Sequence, residues 1–329
     1  MRLIHTRSLE MEEFFGDQIP EYAILSHTWE KGEATFQDWT KLDNSIREKP
    51  GYVKITGACN QAKRDGFDWL WVDTNCIDKS SSAELTEAIN SMFTWYRDAR
   101  ICYAYLQDVP SKDFSGQAED VMAFFKKSKW FGRGWTLQEL LAPTKVVFYT
   151  QEWKRIGSKA ESLTSKIADI TGIDEMFLDG SMALSASSIS KRLSWIANRK
   201  TTRIEDMAYC LLGIFDINMP LLYGEGHKAF TRLQHEIIKS SSDHTIFCWT
   251  WNDDVPYDWT RAEKSDVLAL VLSDFAGTPP WSRPELHEDV EEISGGSSGQ
   301  MCYDWGDADE GHIGRWELVR SIRGDCAGN

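Results

Sequence analysis

The sequence predicts an α/β fold with a mostly parallel sheet flanked by helices, with helical insertions and a helical C-terminal extension. Short apolar runs recur through the first half of the chain. Each run ends in polar residues, which is typical of buried strands that open into loops. Segments with apolar residues at helical spacing separate these runs. This alternation of strands and helices favours parallel pairing, with helices on both faces of the sheet.

Four strands are predicted in this half, at residues 22–29 (YAILSHTW), 68–73 (DWLWVD), 100–106 (RICYAYL) and 145–149 (KVVFY). In an open parallel sheet the ligand site lies at the carboxyl ends of the strands. The polar segments SHTWE, DTNCID and QDVPS all fall at these ends. We therefore expect a binding site at this edge of the sheet.

Helices are predicted between the strands. Residues 51–67 have apolar side chains at helical spacing, and Ser81 with Glu84 forms a capping box before a further amphipathic helix. Residues 107–128 are interpreted as an insertion, polar at first and helical later. A short helix then ends at Pro143, which cannot continue it.

The rest of the chain is predicted to be mainly helical. Helices are expected at 159–170, 189–197, 204–215 and 229–239, with Thr202 and Glu205 as a second capping box and a strand at 245–251. After Pro279-Pro280 the chain is acidic and rich in Gly and Ser, so we expect flexibility there. The predicted organisation is an α/β core at 1–157, a helical part packing on it at 158–250, and an acidic, partly flexible extension at 251–329.

Charge and cysteine content limit the class of protein. A formal net charge of −15 argues against general binding to nucleic acids or anionic membranes, which reward an excess of Lys and Arg. The seven cysteines are odd in number and scattered, as in reduced thiols. Neither a secretory signal nor an apolar run of the ~20 residues that a membrane span needs is present. We therefore expect a cytoplasmic protein with no membrane span, and the Cys and His spacing predicts no metal site.

Several segments together resemble the fungal heterokaryon-incompatibility (HET) domain family. They are YAILSHTWE at 22–30, WVDTNCID at 71–78, WYRDARICYAYL at 95–106, GRGWTLQELLAP at 132–143 and the long run at 201–237. In this order and spacing they cover roughly residues 1–250. The resemblance implies a module of fungal innate immunity that acts in non-self recognition and programmed cell death.

A more distant resemblance, to TIR domains, covers residues 85–149. A helix, the strand ICYAYL, the segment SKW, a helix containing QEL and the strand VVFY follow one another in the TIR order. This resemblance implies a TIR/flavodoxin-like sheet and an NAD+ hydrolase activity. The catalytic Glu of NAD-cleaving TIR domains matches Glu139. Either Trp130 or Trp135 fills the Trp position, because the stretch from Trp130 to Glu139 is longer than its TIR counterpart.

The implied reaction explains why these residue types would be needed. Cleavage of the nicotinamide–ribose bond builds positive charge on the ribose, which the Glu139 carboxylate would stabilise. Trp29 and Trp135 are candidate walls for flat rings, and Arg133 is the candidate cation for the diphosphate. The other candidate binding residues lie on loops expected to converge on the same edge: Ser26, His27, Asn75 and Asp78.

Other readings of these residues stay open. A Glu on a short helix is commonly a solvated surface residue, Arg133 could be a structural ion-pair partner, and the tryptophans could serve packing alone. Cys76 with His27 and Asp73 or Asp78 could form a thiol hydrolase. The GEGHKA segment at 224–229 fits a dinucleotide-binding pattern, but Pro220 makes the preceding segment a poor strand. We interpret it as a turn that enters a helix.

Two function classes follow. The first is an NAD+-cleaving enzyme that takes NAD+ or a related nucleotide as substrate and needs no cofactor. The second is a non-enzymatic signalling or adaptor domain that acts by self-association. Self-association is expected under either class, and an incompatibility partner protein is a further expected partner.

Overall fold

The computed structural model of the protein describes residues 1–41, 44–111 and 118–247. The acidic segment predicted to be flexible, the extension at 251–329 and the end of the strand predicted at 245–251 lie outside the described residues. Of the seven cysteines, Cys59, Cys76, Cys102 and Cys210 lie inside them, and each is a free, buried thiol.

A mixed sheet of seven strands forms the centre of the described fold. The strands are β1 (Arg2–His5), β2 (Met11–Glu13), β3 (Ala23–His27), β4 (Trp69–Val72), β5 (Ile101–Tyr105), β6 (Val146–Tyr149) and β7 (Arg155–Ser158). Their order across the sheet is β2-β1-β4-β3-β5-β6-β7. The middle strands β4, β3, β5 and β6 are parallel. The outer strands β1, β2 and β7 are antiparallel to their neighbours.

The four strands predicted from the sequence are confirmed as β3, β4, β5 and β6. Their side chains are almost wholly buried, which explains their apolar composition. In register, Leu25 of β3 lies opposite Val72 on one side and Tyr103 on the other. The outer strands were not predicted, because they are short and two of them contain several polar residues.

Helices α2, α3 and α5, whose bounds follow, pack on the sheet and cover both of its faces. The α-helices are α1 (Phe36–Lys41), α2 (Pro50–Arg64), α3 (Ser82–Asp98), α4 (Ala118–Lys126), α5 (Thr136–Leu141), α6 (Thr164–Thr171), α7 (Glu175–Leu178), α8 (Ile189–Ala197), α9 (Asp206–Tyr209) and α10 (Lys228–Ser240). On one face Tyr96 of α3 packs against Trp71, and α5 lies on β3. On the other face Tyr103 donates a hydrogen bond of 2.7 Å to Asp65, just after α2. None of the helices in the described part of the chain is both long and apolar enough to cross a membrane.

The chain divides into two compact units. The first holds residues 1–184 and 199–226, and therefore the whole sheet. The described part of the second holds residues 185–198 and 227–247, which include α8, α10 and a 3-10 helix at His244–Phe247. Within it, Asp243 accepts a hydrogen bond of 2.9 Å from the Ile189 backbone N–H at the start of α8. The boundary predicted between residues 157 and 158 stays a prediction.

Two local predictions were wrong. Residues 244–247 form a 3-10 helix where a strand was expected to begin, because Asp243 accepts the Thr245 backbone N–H and so favours a tight turn. Thr202 and Glu205 do not form a capping box. Glu205 instead accepts hydrogen bonds from the backbone N–H groups of Gly224, at 2.8 Å, and Gly226, at 3.1 Å.

Of two other local predictions, the capping box at Ser81 and Glu84 is half formed, and the turn at Gly224 and Gly226 is confirmed. Ser81 caps α3, since its hydroxyl accepts the Glu84 backbone N–H at 3.4 Å. The Glu84 carboxylate accepts the Asp78 backbone N–H at 2.7 Å, so it fixes the preceding loop instead of completing the box. Gly224 and Gly226 have positive φ angles of 104° and 61° in a turn just before α10, as expected for a turn that enters a helix.

Candidate functional site

A buried carboxyl group lies at the carboxyl end of β3. Glu139 is only 6% exposed although α5 is a short helix, so it is not a solvated surface residue. The Ser26 hydroxyl donates a hydrogen bond to Glu139 Oε2. Trp130 Nε1 in turn donates to Ser26 Oγ at 2.8 Å. Of the two candidate tryptophans, the structure therefore places Trp130 beside the Ser26–Glu139 pair.

The position of Ser26 near the end of β3 brings it next to Glu139. Ser26 and His27 are the last two residues of the strand, and not loop residues as predicted, because the parallel pairing with β5 extends to His27. Successive side chains of a strand point to opposite faces. Ser26 faces α5, whereas His27 faces the other side and lies next to Asp73, the first residue after β4.

Burial controls the protonation of Glu139. Loss of water contact, and after it the negative charge of Asp73, raise the pKa of its carboxyl from 4.5 to a net value of about 8. The Ser26 hydrogen bond and the charges of Arg133 and Arg199 act in the opposite direction. At pH 7 the carboxyl is therefore mostly protonated, and a nearby positive charge would be needed to favour the carboxylate.

Asp73 is the centre of a second, more open cluster. His27 Nε2 lies 3.2 Å from Asp73 Oδ1. Trp29 Nε1 donates a hydrogen bond of 2.8 Å to Asp73 Oδ2, and Lys79 Nζ lies 3.7 Å from the same oxygen. Burial alone would raise the pKa of Asp73, but Lys79, His27 and Trp29 together lower it below its ordinary value. Asp73 therefore stays a carboxylate while Glu139 holds its proton.

The predicted residues of the loop after β4 point to different places. Asn75 is fully buried, and among the described residues its Nδ2 has no hydrogen-bond partner. Asp78 belongs to a different hydrogen-bond group, since its carboxylate accepts hydrogen bonds from Gln37 Nε2 at 2.7 Å and from the Ser80 backbone N–H at 3.0 Å. The structure thus gives Asp78 a local role in shaping the loop, and its predicted role in binding stays untested.

Arg133 and Trp135 contact the segment that precedes α9. Arg133 Nη2 lies 3.4 Å from Thr202 Oγ1, while its positive charge reaches Glu139. The Trp135 side chain lies near the Asp206 carboxylate, where it acts against the rise in pKa that burial causes. Trp29, in contrast, is 44% exposed.

The sequence reasoning missed two charged residues, Lys79 beside Asp73 and Arg199 beside the segment that carries Glu139. Lys79 lies in the polar segment after β4, but a lysine among serines gives no signal of its own. Arg199 is 6% exposed, and it donates hydrogen bonds of 3.1 Å to the Arg133 carbonyl and to Thr136 Oγ1. Burial lowers the pKa of this guanidinium to about 10. Arg199 lies in a polar stretch of the sequence, so nothing there indicated that it is buried.

The thiol arrangement considered for Cys76 is not formed. Its Sγ lies 3.4 Å from the Val72 backbone N and 3.9 Å from Asn75 Oδ1, whereas His27 lies next to Asp73. Burial raises the pKa of the Cys76 thiol to about 12. A nucleophilic cysteine needs a thiolate and a base within reach, and neither condition is met.

A groove of about 480 Å³ lies elsewhere in the first unit. Its lining includes Asp65, Tyr149 and Trp153, and none of the predicted site residues. Since Glu139 is only 6% exposed, a ligand would reach it only after a local rearrangement.

The first unit is therefore an α/β fold with a mixed sheet. It holds a buried carboxyl group at the edge of the sheet where ligands are expected to bind. Comparison with known proteins shows which family the chain resembles. Residues 22–120 match the family model described as "Heterokaryon incompatibility protein (HET)". The chain is also 52% identical over 227 residues to the vegetative incompatibility protein HET-E-1 of Podospora anserina.

These matches confirm the resemblance to the HET family. The match to HET-E-1 spans 68% of this chain but only 16% of that protein. No solved structure matches the chain. The resemblance to TIR domains has no such support and stays a prediction.

Proposed function

We propose that this chain is a cytoplasmic heterokaryon-incompatibility module that acts in non-self recognition and programmed cell death. We further propose that it acts by TIR-like cleavage of NAD+ at the nicotinamide–ribose bond, with Glu139 as the carboxylate. The first part is supported by the family match and by the relative, whose name is that of a vegetative incompatibility protein. Because the match spans 16% of that relative, its remaining length gives no information on this chain.

The strand order supports the position of the site. Across the sheet the four parallel strands lie in the order β4-β3-β5-β6. Numbered by their position in the chain, they are the second, first, third and fourth parallel strands. Flavodoxin-like sheets have this order, and their ligands bind where the direction of winding reverses. Here the reversal falls between β3 and β5, and Ser26 and Glu139 meet at the carboxyl end of β3.

The single observation that carries the proposal is the buried Glu139 carboxyl with its raised pKa. A carboxyl of this kind is neutral at rest and ionises when a positive charge approaches. The nicotinamide ring of NAD+ carries that charge. As the ring leaves as neutral nicotinamide, the positive charge passes to the ribose, where the Glu139 carboxylate stabilises it. A water molecule then adds to the ribose carbon and releases a proton, which completes the hydrolysis.

The closed state of the carboxyl implies a step before catalysis. With 6% exposure, Glu139 meets substrate only when Trp130 or the loop after β4 moves. Self-association or contact with an incompatibility partner protein would supply the energy for this movement. We therefore propose that the resting chain is inactive and that association turns it on.

A second function rests on the same observation. Ser26 Oγ accepts one hydrogen bond and donates another, so the Trp130–Ser26–Glu139 set is satisfied as a structural core element. Under this alternative the domain is a non-enzymatic signalling or adaptor module that acts through self-association, and Glu139 only stabilises the fold.

Expression of the full chain in a heterologous fungal or bacterial host separates the two functions. Wild type should lower cellular NAD+ and arrest growth, whereas Glu139→Gln should do neither at equal protein level. Glu236→Gln is the matched control, because Glu236 is a helical glutamate of α10 paired with Lys239 at the surface. Growth arrest by Glu139→Gln with NAD+ unchanged would support the adaptor function and overturn the enzymatic one.

A further inference from the structure

Trp29 offers an exposed aromatic surface next to the Asp73 carboxylate. Its residue is 44% exposed, and its ring nitrogen donates a hydrogen bond of 2.8 Å to Asp73 Oδ2. An aromatic face beside a carboxylate is a combination that attracts organic cations. The lowered pKa of Asp73 keeps that carboxylate charged.

The chain already places a cation of its own on this surface. Lys79 Nζ lies 3.4 Å from the centroid of the Trp29 ring and 3.7 Å from Asp73 Oδ2. The Lys79 side chain is 33% exposed, so it can leave without unfolding the core. The pair is half-buried, and burial lowers the pKa of Lys79, so the lysine loses part of its hydration in this position. Even fully exposed cation–π contacts and ion pairs are each worth only about 1 kcal/mol or less.

The loop that carries Lys79 has unsatisfied polar groups in this arrangement. Thr74 Oγ1 and Asn75 Nδ2 are buried, and neither has a hydrogen-bond partner among the described residues. Buried polar groups are nearly always paired. The loop between β4 and α3 is therefore not fully satisfied in the arrangement that places Lys79 on Trp29.

We propose that the Trp29 ring and the Asp73 carboxylate form a subsite for a planar aromatic cation of the nicotinamide class, which Lys79 occupies until such a ligand displaces it. The identity of the ligand rests on the proposed function, because NAD+ carries this cationic ring. The subsite also lies close enough to Glu139 for the charge of Asp73 to raise the pKa of Glu139. A ring bound there would bring positive charge toward the buried carboxyl.

Binding of 1-methylnicotinamide to the full chain, measured by isothermal titration calorimetry, tests this inference. Lys79→Met removes the competing charge at similar length and should bind the probe about tenfold more tightly than wild type. Lys79→Arg, which keeps a cation, should bind like wild type. Lys239→Met is the matched control, since Lys239 pairs with Glu236 at the surface of α10.

Three results would overturn the subsite. The first is probe binding by Lys79→Met that is no tighter than that of wild type. The second is equal tightening for uncharged nicotinamide, which would remove the role of charge. The third is retention of the gained affinity by the double variant Trp29→Ala with Lys79→Met, because the probe would then bind somewhere else. Circular dichroism spectra that match wild type show that each variant is folded.

The subsite and the proposed reaction can fail separately. Release of nicotinamide from NAD+ is measured on the same preparations. Tight probe binding by Lys79→Met together with no NAD+ cleavage would support the subsite and count against the reaction. Cleavage of NAD+ without the expected probe binding would overturn the subsite alone.

Discussion

The Ser26 hydroxyl donates a hydrogen bond to the Glu139 carboxyl, and the two residues are 113 positions apart in the chain. This contact joins β3 to α5 at the edge of the sheet where ligands of such folds bind. Trp130 completes it by donating to the same Ser26 oxygen. Through this contact, the fold of the first unit and the proposed chemistry depend on the same three side chains.

The protonation of Glu139 predicts a pH dependence of stability. Its folded pKa is raised to about 8 from 4.5, so between these values the unfolded chain has released a proton that the folded chain still holds. The contribution of this group is fully present below pH 4.5 and is lost as pH rises to about 8, with a limiting slope of about 1.4 kcal/mol per pH unit.

Glu139→Gln should remove this dependence, because glutamine mimics the protonated side chain and does not titrate. Urea unfolding at a series of pH values from 5 to 8 measures it, and the stability of the variant relative to wild type should increase with pH. Glu236→Gln should follow wild type. A constant difference between Glu139→Gln and wild type across this range would show that the carboxyl does not titrate there.

Ser26→Ala should destabilise the fold. The change leaves the Trp130 N–H without its acceptor and the Glu139 oxygen without its donor, at a cost of about 1–3 kcal/mol in the free energy of unfolding. Ser181→Ala is the control, since Ser181 is exposed and its loss should change stability by less than about 0.5 kcal/mol. Equal stability of the two variants would mean that the buried hydrogen bonds do not hold β3 to α5.

Gly57→Ala should also destabilise the fold, although alanine favours a helix interior over glycine by about 1 kcal/mol. Gly57 lies inside α2, and a Cβ at this position would fall 2.2 Å from Trp153 Nε1. We expect a loss of roughly 1–3 kcal/mol in the free energy of unfolding. The control is Gly132→Ala, because a Cβ at Gly132 meets nothing within 4 Å.

A double-mutant cycle tests the cause of that loss. In a Trp153→Ala background the Cβ of Gly57→Ala has free space, so the helix preference of alanine should become visible as a gain in stability. A penalty of unchanged size in this background would assign the effect to something other than the Trp153 ring.

The described cysteines should react slowly in the folded chain. Burial raises the pKa of the Cys59 and Cys76 thiols to about 12, and those of Cys102 and Cys210 well above their ordinary value. Since the thiolate is the reactive form, iodoacetamide at pH 8 should label these four only after unfolding in urea, as read by peptide mass spectrometry. Rapid labelling of Cys76 in the folded chain, together with loss of activity in Cys76→Ser, would contradict this prediction and support a thiol hydrolase.

Much of the sheet could be predicted because its central strands are buried on both faces. The runs around Ile24, Trp71, Tyr103 and Phe148 are apolar for that reason, and their polar ends marked the binding edge. The outer strands β1, β2 and β7 are short and partly exposed, so their sequences carry no comparable signal.

The site could be predicted only in part. Glu139 and Ser26 were proposed through family resemblance and position in the chain, but their hydrogen bond is a product of folding that no local pattern records. The capping box predicted at Thr202 is not formed, because the Glu205 carboxylate accepts hydrogen bonds from the backbone N–H groups of Gly224 and Gly226 instead. Lys79 was missed because its importance comes from its contact with Trp29, across the sheet edge.

The central claim is that the chain cleaves the nicotinamide–ribose bond of NAD+ with the help of the Glu139 carboxylate. The most direct measurement is the release of nicotinamide from NAD+ by the purified full chain at high concentration. Wild type and Glu236→Gln should release nicotinamide at the same rate, and Glu139→Gln should be slower by about 100-fold or more while keeping its fold. Release by Glu139→Gln at the wild-type rate, or none by clustered wild type, would contradict the claim.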